Sequence, residues 1–220
     1  MENRLSMRLV LPRLYVILDS ALLTIPVEDC AQEFADAGVR LLQYRAKDVP
    51  ALNMLNVSRT LASLLVPRGV SFIVNDRPDI AILAEATGVH VGQEDLGVES
   101  ARELVGKEKL VGVSTHNLEQ FQAAAETSAD YITIGPVFAT SSKVNPDPVV
   151  GTEFIRRVRE LSDKPIVAIG GITLENAASV IVAGADCVAV ISDILRVPDR
   201  GRRAKQYLEI LGSENRSVTA

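Results

Sequence analysis

Eight times along this chain, a short β-branched apolar run gives way to a longer segment whose apolar residues fall at helical spacing. Few architectures accept that rhythm. Strands alternating with helices read as repeated βα units, in which successive strands lie parallel and each helix crosses back over the sheet. The expected strands are Leu14 to Leu18, Val39 to Tyr44, Val70 to Val74, Gly88 to Val91, Leu110 to Val113, Tyr131 to Ile134, Ile166 to Ile169 and Cys187 to Ile191. All are short and nearly continuously apolar, the texture of strands buried on both faces. Between them, Val27, Cys30, Ala31 and Phe34 fall at i, i+3, i+4 and i+7, and Gly38 can take the left-handed conformation that ends a helix. Asn117 with Gln120 reads as a capping-box start, and Thr173 as the cap of the helix carrying Ala177, Val180 and Ile181. The sum is an α/β fold, a (β/α)₈ TIM barrel. The 220 residues suffice for one substantial core, and no linker or low-complexity tract divides them. Residues 1–212 are therefore expected to form a single barrel domain, followed by a polar, disordered tail at 213–220.

Charge and hydropathy remove several functions. A formal net charge of -5 and a pI near 5.2, with basic residues scattered rather than striped, give no footprint for nucleic acid. No stretch approaches about eighteen consecutive apolar residues, and Glu2, Arg4 and Arg8 interrupt the N-terminus, so neither a membrane span nor a secretory signal is expected. A cytoplasmic protein acting on small molecules follows. Cys30 and Cys187 lie in apolar stretches without metal-like spacing and read as buried thiols. Outer helices of a barrel can be wet or paired, which leaves a homodimer open.

In such a barrel the chemistry sits at the C-terminal ends of the strands, and those ends are polar here. Gln43, Arg45 and Lys47 follow the second strand, Asn75 and Asp76 the third, Gln93 and Asp95 the fourth, Ser114 and His116 the fifth. The sixth strand leads into a long hydroxyl-bearing loop with Thr140, Ser142 and Lys143, suited to cover an anion. The seventh strand ends in Gly170-Gly171 and the eighth in Ile191-Ser192, where barrels commonly bind phosphate. A lone aspartate after a strand is more often a cap or turn former than a metal ligand. Asp76 and Asp95 together, at the ends of neighbouring strands and beside two basic residues, favour a shared Mg²⁺ whose remaining ligands come from a diphosphate and water. His90, between valines, reads as a core histidine, His116 as a substrate contact, and the arginines at 196, 200, 202 and 203 as the wet side of a last helix.

These residues recur in an ordered set of motifs: Gln43-Tyr-Arg-Ala-Lys47, Phe72-Ile-Val-Asn-Asp76, Gly88-Val-His-Val-Gly-Gln-Glu-Asp95, Gly112-Val-Ser-Thr-His116, Ala129-Asp-Tyr-Ile-Thr-Ile-Gly-Pro136, Thr140-Ser-Ser-Lys143, Ile169-Gly-Gly-Ile172 and Gly184-Ala-Asp-Cys-Val-Ala-Val-Ile-Ser192. In order and spacing the chain resembles the thiamine-phosphate synthase family over nearly its whole length. The resemblance implies a transferase that joins an aminopyrimidine methyl diphosphate to a thiazole phosphate, releasing diphosphate through a pyrimidine methyl cation. It implies Gln43, Arg45, Lys47 and Asn75 on the pyrimidine diphosphate, Asp76 and Asp95 on Mg²⁺, and Ser114 on the pyrimidine or its departing diphosphate. It further implies Lys143 closing over the diphosphate, and Thr140, Ser142, Gly171, Ile191 and Ser192 on the thiazole phosphate. Arg45, Lys47, Ser114 and Lys143 are the catalytic set on this reading. Two departures stand out: Ala46 where many relatives carry a polar residue, and Ser142 where they carry threonine. The rival readings are a relative that isomerises the thiazole phosphate alone, which needs neither both aspartates nor the whole basic set; another phosphate-handling barrel such as an epimerase, which would leave the diphosphate half unexplained; and a sensor that binds without turnover, which would call for an output domain.

Overall fold

All eight expected strands are present, each within two residues of its expected ends: β1 (Leu14–Asp19), β2 (Leu41–Arg45), β3 (Ser71–Asn75), β4 (Gly88–Val91), β5 (Leu110–Thr115), β6 (Tyr131–Ile134), β7 (Ile166–Ile169) and β8 (Cys187–Val190). The computed structural model describes residues 9–140 and 147–212. The tail expected at 213–220, together with Ser142 and Lys143, lies outside the described residues. Each strand pairs in parallel with the next, and β8 returns to β1 to close the barrel. Helices α1 (Val27–Ala37), α2 (Ala51–Leu65), α3 (Pro78–Leu83), α4 (Val98–Val105), α5 (Leu118–Ala125), α6 (Gly151–Arg159) and α7 (Ala177–Val182) separate the strands; α8 (Ser192–Leu195) and α9 (Arg200–Leu211) follow the last. No helix among the described residues is long and apolar enough to cross a membrane.

The period-2 geometry of a strand splits its residues into two cores. Outward residues such as Leu14, Val16 and Leu18 pack under the helices against Phe34, which is fully buried. Removing a ring of that kind typically costs about 3–5 kcal/mol. Inward residues Tyr15, Ile17, Leu41, Ile73, Tyr131, Val167, Cys187 and Ala189 fill the barrel itself. Toward the C-terminal ends of the strands the inward positions turn polar, with Asp19, Gln43, Asn75, His90, Ser114 and Thr133. One glycine is dictated by this interior. A Cβ on Gly112 would lie 2.1 Å from Cζ of Tyr131, so β5 must carry no side chain where that ring crosses it.

Gly38 caps α1 at φ 103, as expected. Asn117 accepts from the Gln120 backbone N–H, while the Gln120 side chain reaches back to the His116 N–H rather than to Asn117. Two expectations are corrected. Thr173 does not cap α7 through its side chain: Asn176 is the N-cap, its Oδ1 accepts from the Thr173 N–H, and Thr173 contributes its carbonyl to Ala177. Arg200 is not on the wet side of α9; it is buried, donating to the Leu195 carbonyl and the Thr24 hydroxyl at 3.0 Å each, because it ties α9 back to the turn after β1. Both cysteines are buried and unpaired.

Candidate active site

A cavity of about 720 Å³ opens at the C-terminal ends of the strands. Gln43, Arg45, Lys47, Asn75, Asp76, Asp95 and Ser114 all line it, so residues from four strands separated by helices meet in one place. Thr140 and Ile191 line it as well; Gly171 and Ser192 do not, though each follows a lining residue, Gly170 and Ile191, in the chain. His116 also faces the cavity, with Nδ1 donating to the Gly135 carbonyl at 2.6 Å and lying 3.5 Å from the Asp147 carboxylate.

Position alone does not fix a long basic side chain, and the fold supplies an anchor for one of them. Arg45 is bonded to the carboxylate of Asp19, buried at the end of β1 and opposite Arg45 in the β1–β2 register. Asp19 also accepts from the Ala21 N–H at 3.0 Å, which fixes the carboxylate plane. Lys47 is freer, with Nζ 3.4 Å from Asp76 and more than half its side chain exposed.

The carboxylates are held by backbone geometry. Asp76 sits at φ 63, the left-handed region, where aspartate and asparagine are tolerated better than most residues. Asp95 accepts the Gly92 N–H at 2.7 Å. Burial raises the Asp76 carboxyl to about 6, and the neighbouring Asp95 carboxyl, within hydrogen-bonding reach, pushes the same way; Lys47 offsets only part of this. A carboxyl pair that resists full ionisation is what a divalent cation would relieve. Among the described residues no cluster of three or more His, Cys, Asp or Glu side chains is gathered. The protein donors at this point are thus two carboxylates, a set that fits Mg²⁺, which usually keeps water and substrate phosphate as its other ligands.

Below the mouth, a chain of hydrogen bonds crosses the barrel. Gln43 Nε2 donates to the Tyr15 hydroxyl at 2.7 Å; the Tyr15 and Tyr131 hydroxyls are 3.2 Å apart; Tyr131 meets His90 Nδ1 at 3.2 Å; His90 Nε2 meets Ser114 Oγ at 2.9 Å. The His90 ring stacks on Tyr131 with centroids 5.7 Å apart. Burial drives the His90 imidazole down to about 4 and both phenols up, so all three are neutral near pH 7. Thr133 Oγ1, also buried and in the cavity wall, has no hydrogen-bond partner among the described residues.

The structure brings the expected residues Gln43, Arg45, Lys47, Asn75, Asp76, Asp95, Ser114, Thr140 and Ile191 to one mouth, and it adds Asp19, Tyr15, Tyr131 and Thr133, which the sequence did not single out. Asp19 carried a usable signal, being a carboxylate at a strand end one βα unit before Arg45. His90 was expected as a core histidine; it is buried, yet it touches Ser114 and borders the cavity.

A closed parallel barrel with one polar mouth, a carboxylate pair and a fixed guanidinium is an enzyme scaffold built for an anionic small-molecule substrate. The comparisons with known proteins narrow the class. Residues 14–194 match the family model for thiamine monophosphate synthase. A thiamine-phosphate synthase of Koribacter versatilis is 52% identical over 212 residues, covering 93% of this chain and 98% of the relative. One from Methanosarcina barkeri is 36% identical, covering 90% and 89%. The solved thiamine phosphate pyrophosphorylase from Pyrococcus furiosus superposes with a TM-score of 0.83 at 32% identity, over 93% of this chain and 98% of that one. The chain belongs to the thiamine monophosphate synthase family.

Proposed function

We propose that the chain transfers the aminopyrimidine methyl group of 4-amino-2-methyl-5-(diphosphooxymethyl)pyrimidine to the ring nitrogen of a thiazole phosphate, releasing diphosphate and forming thiamine phosphate. The observation that carries the reading is the meeting of the Asp76–Asp95 pair with Arg45 and Lys47 in one cavity. An isomerase of the thiazole alone has no use for a carboxylate pair and two basic side chains gathered in one cavity.

The residues supply charge balance and alignment rather than a nucleophile. As the bond between the exocyclic methylene and diphosphate breaks, negative charge grows on the leaving group and positive charge on the pyrimidine. Arg45, already oriented by Asp19, and Lys47 face the diphosphate, with Lys143 assigned to the same task. Losing one such donor costs on the order of a hundredfold in rate. Gln43, Asn75 and Ser114 hold the pyrimidine, and Thr140, Ser142, Gly171, Ile191 and Ser192 hold the thiazole phosphate so that its nitrogen faces the methylene. Asp76 and Asp95 would hold Mg²⁺, which when bound supplies Lewis-acid stabilisation of the departing diphosphate. The cytoplasm is the proposed compartment, with no nucleic-acid or membrane partner and a homodimer as the proposed assembly.

The test is a two-product assay. Purified protein with both substrates and Mg²⁺ should release thiamine phosphate and diphosphate in equal amounts, and a chelator should stop both. Binding of both substrates without either product would replace the synthase by a sensor.

A further inference from the structure

Five side chains from five strands form one unbranched hydrogen-bond chain beneath the mouth: Gln43, Tyr15, Tyr131, His90 and Ser114. Its two ends are residues assigned above to the pyrimidine; its three middle members have no assigned role. The direction of the chain follows from counting protons. Each phenol has one proton, and a neutral imidazole has one donor nitrogen and one acceptor nitrogen. With Gln43 Nε2 donating to Tyr15, the Tyr15 proton has one acceptor within reach, the Tyr131 oxygen. The Tyr131 proton then goes to His90 Nδ1, and His90 Nε2–H goes to Ser114 Oγ. With the Gln43 amide in this orientation, any other arrangement strands a buried phenolic proton or sets two donors against each other. Reversal requires turning all five groups together, because each proton position fixes the next.

The ends of the chain are therefore unequal. Gln43 has given one of its two amide N–H groups to Tyr15, which fixes the amide plane and leaves its carbonyl oxygen and second N–H at set positions; Ser114 has accepted from His90, and its own proton finds no acceptor among the described residues. An aminopyrimidine offers the complement, an amino donor and a ring-nitrogen acceptor.

Resting on the synthase reading, we propose that Tyr15, Tyr131 and His90 are positioning residues that hold Gln43 as an acceptor and Ser114 as a donor. They thereby make the site select a 4-amino pyrimidine over its 4-oxo counterpart. An oxo group would set its oxygen against the Gln43 oxygen, and a site built around such a bond rejects the mismatched analogue strongly. The same polarity favours the reaction, since an amino group feeding electrons to the methylene cation becomes a better donor toward the Gln43 oxygen as the leaving group departs.

The experiment measures competitive inhibition of the full-length enzyme by two unreactive probes, the 5-(phosphooxymethyl) monophosphates of the 4-amino and the 4-oxo 2-methylpyrimidine. Wild type should prefer the amino probe by about a hundredfold or more. Tyr15→Phe keeps the ring and frees the Gln43 amide to turn over, so the preference should fall at least about tenfold, mainly through tighter oxo binding. Tyr131→Phe cuts the chain at its midpoint and should do the same. KM for the thiazole phosphate should stay near the wild-type value in both. A purely structural role would weaken both probes together and leave their ratio alone; an unchanged ratio in either folded variant overturns the proposal. Should the phenylalanine variants fail to fold, the wild-type ratio still decides: a value near one, or an oxo preference, overturns it. Wild type that makes no thiamine phosphate would instead overturn the synthase reading and the relay with it, whereas an active wild type with a flat ratio overturns the relay alone.

Discussion

Replacing Asp76 by asparagine should make the metal-free protein more stable while abolishing Mg²⁺-dependent turnover. The carboxyl is raised from 3.8 to about 6 by burial first and by Asp95 second. Between those two pH values the folded chain keeps a proton that the unfolded chain has released, so stability falls as pH rises through the window and stays lower above about 6. At 1.36 kcal/mol per pH unit, the ionised carboxylate costs the fold roughly 3 kcal/mol near neutrality. The asparagine amide bears part of the same burial penalty, which leaves a net gain of about 1–2 kcal/mol. Asparagine suits the backbone too, because φ is 63 at this position and alanine would add strain. The assay is urea unfolding followed by circular dichroism in chelator. With slopes of about 3 kcal/mol per molar, the Asp76→Asn midpoint should exceed wild type by about 0.5 M near pH 7.5. The excess should fall to zero at about pH 5 and reverse toward about pH 4, where the carboxyl is protonated and only the amide's burial penalty remains, and Mg²⁺ should stabilise wild type but not the variant. An asparagine variant no more stable than wild type near neutrality, or an excess that ignores pH, would refute the argument from the buried Asp76 carboxylate.

With Asp76 assigned to Mg²⁺, the same titration should govern metal binding. Protonated Asp76 cannot ligate, so the Mg²⁺ concentration for half-maximal rate should climb by about tenfold per pH unit below about 6; an unchanged requirement between about pH 7.5 and 5 would remove Asp76 from the metal site. Asp19→Asn keeps the bond to the Ala21 N–H but loosens Arg45, and kcat/KM for the pyrimidine diphosphate should drop about tenfold to a hundredfold. Steady-state kinetics decide this, and a loss confined to thermal stability would mean that Asp19 only supports the fold.

The mouth was legible because barrels place function at one edge of the sheet, so position in the chain translates into position in space. Asp76, Asp95 and the Arg45–Lys47 segment each sit just past an apolar run, and the fold brings them to one cavity. What lies deeper was not legible. Tyr15, Tyr131 and His90 meet across the barrel from β1, β6 and β4, and no sequence spacing encodes a contact between strands that are not neighbours. In sequence, each looks like one more large residue inside an apolar strand. Arg200 misled for a related reason: arginine on a polar helix reads as solvated unless its partners, here the Leu195 carbonyl and Thr24, are known. Thr173 and Asn176 exchanged roles within one turn, the scale at which helix boundaries are least determined by residue type.

Closure of the barrel has a consequence for how the chain reaches this state. β1 completes its pairing only with β8, and Arg13 beside it bonds to Leu211 across 198 positions of sequence. Every other strand pairing joins consecutive strands and can form while later ones are still unfolded. The order of folding is thus biased toward an open, curved intermediate whose two raw edges, on β1 and β7, are templates for intermolecular pairing until the last unit docks. In pulse-labelled refolding, amide protection on β1 should lag that on β3 to β5, and simultaneous protection would show that closure is not the late step. A lesion that slows α9, which contributes no residue to the cavity lining, would then act by lengthening the life of those edges and lowering the yield of folded enzyme rather than its rate.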